Sequence, residues 1–156
     1  MSEDCLPSAI NCNEQPHGVA LILLAHVLQK PKTWVLAHPD THLNPDQKAH
    51  LEQLVNRLQA GEPLPYLTGK QAFYGLDFAV SPAVLIPRPE TELLVEEALN
   101  WLEAHPDATH ALDVGTGSGS IAITLATRKP LLTITATDFS PAALVIAQQN
   151  AATHQV

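Results

Sequence analysis

The chain has 156 residues, 46% apolar and 15% charged, with a formal net charge of −8, which suits a folded core and argues against a protein that grips phosphate backbones. The longest apolar run, Val19 to Leu28, is broken by His26 and too short to cross a bilayer, so neither a nucleic-acid nor a membrane partner is expected. The acidic, polar start is no signal peptide, and Cys5 and Cys12 read as free thiols, so the expected compartment is the cytoplasm.

Residues 1–16 show no periodicity and are expected to be poorly ordered, and no internal repeat is evident. Gly18 to Gln29 suits a buried helix ended by Pro31, whereas Thr33 to His38 reads equally as a short helix or a strand. A third element has clear ends: Asn44 can cap, Pro45 fills the first helical position, and Asp46 favours the first turn. Ala49, Leu51, Leu54, Val55 and Leu58 then recur at helical spacing until Gly61 and Pro63 close the helix.

From Gln71 the period changes to alternation around Gly75, with Phe73, Tyr74, Phe78, Val80, Val84 and Ile86. This predicts a β-hairpin or paired extended segments. Pro87 and Pro89 lead into a helix over Glu90–Glu103, with Glu90 and Glu92 in its first turn. A strand over Ala111–Val114, a glycine loop, a helix over Ser120–Arg128 and a strand over Leu132–Thr137 complete one βαβ unit. Ser140 caps and Pro141 opens a last helix expected to run on to Val156.

The loop reads Asp113-x-Gly115-Thr116-Gly117-Ser118-Gly119, at the carboxyl end of a strand where open α/β sheets bind ligands. A dinucleotide fingerprint would need glycine or alanine at Ser120, so that match is imperfect. Asp138, 19 residues beyond Gly119, is placed to accept hydrogen bonds from ribose hydroxyls. Asp113 would repel a pyrophosphate but attract an ammonium or sulfonium group. The combination favours S-adenosylmethionine, whose methionine part can lie against a glycine backbone. A nicotinamide or flavin site and a plain strand–helix turn are the competing readings.

Three blocks carry a more specific resemblance: "GEPLPYLTGKQAFYGLDFAVSPAVLIPRPETELLVEEAL", "LDVGTGSGSIAITLA" and "ATDFSPAALVIAQQNA". Together they closely resemble the HemK/PrmC-type methyltransferases, which modify the glutamine of the Gly-Gly-Gln motif in peptide-chain release factors. The resemblance implies an α/β protein with a small N-terminal helical domain, a β-hairpin linker and the first βαβ portion of a class I (Rossmann-like) methyltransferase domain. The division expected is 1–69, 70–89 and 90–156. It implies S-adenosyl-L-methionine as cofactor, held by Asp113, Gly115, Thr116, Gly117, Ser118, Gly119 and Asp138. It also implies a release factor as protein substrate, and the domain order leads us to expect that the helical domain helps recognise it. The "RPETE" stretch, Arg88 to Glu92, is similar to the family's signature near the cofactor, or serves only as a helix start.

The family's Asn-Pro-Pro-Tyr motif, which binds the substrate glutamine, is absent from these residues. The chain is therefore expected to be the N-terminal part of a longer enzyme, inactive alone, and no catalytic residue is named. An amino-group methyltransferase acting on adenine or another amide is an alternative; a non-catalytic binding module is another. His38 and His42, or His105 and His110, make no metal set and are expected to be exposed or capping. Trp34, Trp101, Tyr66 and Tyr74 form no base-stacking stripe, and Ser118 and Ser120 lie outside any nucleophile elbow.

Overall fold

The structure is a computed structural model that describes residues 17–156; the readings of Cys5, Cys12 and residues 1–16 lie outside the described residues. The chain divides after Thr68 into a helical unit and an α/β unit.

The helical unit comprises α1 (His17–Leu28), α2 (Lys32–Ala37), α3 (Pro45–Gln59) and α4 (Leu64–Thr68). Leu23, Leu24, Val27, Val35, Leu51, Leu54 and Leu67 form its buried core. Helix α1 ends where Gln29 turns left-handed (φ 52°) and the Lys30 N–H returns to the Ala25 carbonyl, one step before Pro31. Helix α3 begins with a capping box. Asn44 accepts from the Gln47 N–H at 2.8 Å, and the Gln47 side chain accepts from the Asn44 N–H at 3.0 Å. The ambiguous 33–38 segment is helical. The short α4 was not legible, because five residues after Pro63 give no measurable period.

Two helices stop by the same device, and here the sequence does contain a repeat: Trp34-Val-Leu-Ala-His38-Pro-Asp matches Trp101-Leu-Glu-Ala-His105-Pro-Asp. In each, the histidine Nδ1 pairs with the tryptophan carbonyl (2.9 and 2.8 Å) and the imidazole stacks on the indole (4.2 and 4.0 Å between centroids). The following proline holds the histidine out of helical geometry. These histidines are caps, as their loop positions suggest.

The α/β unit opens with an antiparallel hairpin, β1 (Lys70–Phe73) and β2 (Leu76–Ala79), in register Lys70↔Ala79 to Phe73↔Leu76. Its two-residue turn places Tyr74 (φ 50°) and Gly75 (φ 77°) both left-handed, as a type I′ turn requires. A tyrosine there is strained, and its surroundings compensate: Glu92 accepts from the Tyr74 N–H at 2.8 Å and Arg128 lies over its ring. Glu92 of the "RPETE" stretch thus serves the hairpin turn. The paired strands end at Ala79, short of the expected extent. Val84 and Ile86 are still buried with Leu85 outside them, so alternation persists there beyond the end of the assigned strand.

Helix α5 (Glu90–Ala104) follows, then β3 (His110–Val114), α6 (Ser120–Arg128), β4 (Thr133–Thr137) and α7 (Pro141–His154). Strands β3 and β4 pair in parallel, His110↔Thr133 to Val114↔Thr137. Phe73, Phe78, Val95, Ile123 and Leu125 form the core that joins hairpin and helices. Helix α7 stops before Val156, contrary to the expected run-on: Gln155 is left-handed (φ 60°) and the Val156 N–H returns to the Ala151 carbonyl.

Candidate functional site

The chain leaves β3 and turns through Gly115–Gly119 into α6. The Gly115 and Thr116 N–H groups both donate to the Thr137 carbonyl, at 2.8 and 2.9 Å, pinning the loop to the end of β4. Gly119 (φ 80°) is required twice over. A Cβ there would sit 2.7 Å from Ile123 Cδ1 and 3.3 Å from Ala147 Cβ, so it permits the close approach of α7 to the start of α6. At Gly115 and Gly117 an added Cβ meets no protein atom within 4 Å. Positive φ alone demands glycine there, and the loop backbone lies open to close approach by a ligand.

The acids flank this loop. Asp113 Oδ2 accepts from the Thr116 hydroxyl at 2.7 Å. Asp138 accepts from the Gly117 N–H through Oδ2 and from the Ser140 N–H through Oδ1, each at 2.8 Å. Those amides, Ser140 first and Gly117 next, hold the Asp138 carboxyl below the usual carboxylate range. What this stabilises is fully present above the ordinary carboxylate pKa and is lost as pH falls through the depressed one.

The structure therefore brings Asp113, Gly115, Thr116, Gly117, Ser118, Gly119 and Asp138 into one hydrogen-bonded assembly. Asp138 ties the glycine loop to the start of α7. An apolar groove of about 240 Å³ lies between α6, α7 and β4, lined by Ala122, Ile123, Ile134 and Leu144, among others. Its lining carries neither acid, so the polar chemistry belongs to the loop.

Two residues went unnoticed in the sequence. Phe139, beside Asp138, is completely exposed. Asn150 is only 2% exposed and bonds to both the hairpin and the loop. Its signal was available, because Ala143, Ala147 and Asn150 recur at helical spacing and an asparagine on an otherwise apolar stripe needs partners.

Comparison with known proteins agrees with this layout. Residues 8–69 match the PrmC N-terminal domain, and residues 89–156 match the methyltransferase small domain. The chain is 48% identical over 136 residues to the release factor glutamine methyltransferase of Bordetella pertussis, covering 87% of this chain and 50% of that protein. It is 44% identical over 144 residues to the protein of that name from Escherichia coli, covering 92% and 51%. The chain belongs to the HemK/PrmC-type methyltransferase family. It spans about half the length of the curated relatives it matches, Koribacter versatilis included at 49%. The helical unit followed by hairpin and βαβ portion is the fold class that the family resemblance implies. No helix among the described residues is long and apolar enough to cross a membrane.

Proposed function

We propose that this chain supplies the cofactor half of an S-adenosyl-L-methionine-dependent methyltransferase acting on the glutamine amide of the Gly-Gly-Gln motif in peptide-chain release factors. One observation carries the reading: the positive-φ glycine loop is bonded to Asp138 on one side, with the Asp113–Thr116 pair on the other, in a family named for that reaction. The donor set fits the cofactor. Asp113 offers negative charge to its cationic end, Gly115 and Gly117 allow contact along the backbone, and Asp138 offers acceptors to the ribose. Phe139 extends the set with an exposed aromatic face for the purine. When bound, the cofactor supplies an electrophilic methyl group on a sulfonium.

The amide nitrogen to be methylated is a poor nucleophile, so the partner half must align it and accept its hydrogens. This chain's task is to fix the methyl donor. The helical unit is our candidate for contact with the release factor.

Asp138→Ala in the full-length protein should weaken S-adenosylmethionine binding about ten- to hundredfold by calorimetry, the scale of lost charge-assisted hydrogen bonds. Labelled methyl transfer to the release-factor glutamine should fall with it. Unchanged affinity would place the ribose elsewhere.

A further inference from the structure

Asn150 sits in the third turn of α7, buried, with both hydrogens and the oxygen of its amide bonded. Oδ1 accepts from the Ala79 N–H at 2.7 Å, while Nδ2 donates to the Ala79 carbonyl at 3.0 Å and to the Ser118 carbonyl at 2.8 Å. One donor and two acceptors surround it, so the orientation of the amide is fixed by its partners. Towards Ala79 it does what a neighbouring strand would do, taking both backbone groups at the end of β2. Towards Ser118, itself 2% exposed, it holds the middle of the glycine loop. A single side chain thus joins two segments far apart in sequence, and the groups it uses on each are backbone: no substitution removes the two carbonyls, and only proline at Ala79 would remove the N–H.

We propose that Asn150 is a positioning residue that couples the β-hairpin to the cofactor loop, so that order in the hairpin and ligand binding at the loop strengthen one another. The identity of that ligand rests on the function proposed above. Linkage makes the coupling reciprocal: the factor by which the ordered hairpin tightens the ligand is the factor by which the ligand stabilises the hairpin. Such coupling is read by a measurement at both ends.

The test is amide hydrogen exchange on the full-length protein, with and without S-adenosylhomocysteine. In the wild type the ligand should slow exchange at the Ala79 amide about tenfold, the equivalent of 1.4 kcal/mol. Asn150→Ala should abolish that slowing and weaken the ligand by a similar factor. Asn150→Asp keeps the acceptor for the Ala79 N–H but loses both donations. It should speed exchange at Gly119 and Ser120 without ligand while β3 and β4 exchange as before, and it serves if the alanine variant does not fold. A merely structural asparagine would lower Tm in both variants yet leave the ligand-dependent slowing intact, which would overturn the coupling. If the wild type binds no S-adenosylhomocysteine, the cofactor reading fails. The ligand-free comparison then still decides: unchanged exchange at Gly119 and Ser120 in Asn150→Asp refutes the clamp, and faster exchange there supports it.

Discussion

The two units are held together by different means. The helical unit encloses an apolar cluster and meets its polar obligations at helix ends, through the Asn44–Gln47 box and the turn at Gln29. Among the described residues the buried polar side chains are Thr116, Ser118, Ser120, Thr124 and Asn150, all in the α/β unit and all on the glycine loop, α6 or α7. That unit also leaves one sheet face uncovered, with Leu112 and Val114 64% and 76% exposed. None of the buried side-chain nitrogen or oxygen atoms among the described residues lacks a partner. Apolar packing tolerates small repacking, whereas a satisfied polar network specifies one arrangement. The unit that carries the candidate site is thus the one whose geometry is set by hydrogen bonds.

Removing residues 1–68 from the full-length protein tests the contrast most severely. The KM for the release factor should rise about a hundredfold, as for a lost recognition surface, with S-adenosylhomocysteine affinity unchanged. Equal loss of cofactor affinity would abolish the division of labour. Phe78→Ala empties a fully buried position in the α/β core and should cost that unit about 3–5 kcal/mol in urea unfolding. The helical transition should stay where it is, and a joint shift would make the two units one cooperative body. Asn44→Ala removes the cap of α3 and should lower the stability of the helical unit alone by about 1 kcal/mol. An effect on the α/β transition of the same size would contradict the separation.

Much of this was legible because its causes are local. Asn44, Pro45, Ser140 and Pro141 act within one turn of where they stand, and both helix starts lie where those residues put them. The glycine loop was legible through left-handed positions that glycine adopts without strain, and Asp138 through its distance from them. What stayed hidden depends on contacts distant in sequence. Asn150 reaches Ala79 across 71 residues, and Glu92 reaches Tyr74 across 18. Part of the demand at Gly119 comes from Ala147, a neighbour only after α7 has folded back. Val84 and Ile86 show the converse, because a period of two reports burial and not membership of a strand.

The paired Trp-His stops have a spectroscopic consequence. This chain has two tryptophans, Trp34 within α2 of the helical unit and Trp101 in the last turn of α5 of the α/β unit. Each indole lies flat against an imidazole that is held there only while the helix end is intact. Each unit therefore carries its own built-in fluorophore and contact partner. Replacing one tryptophan at a time with phenylalanine leaves a reporter whose emission follows the loosening of a single unit.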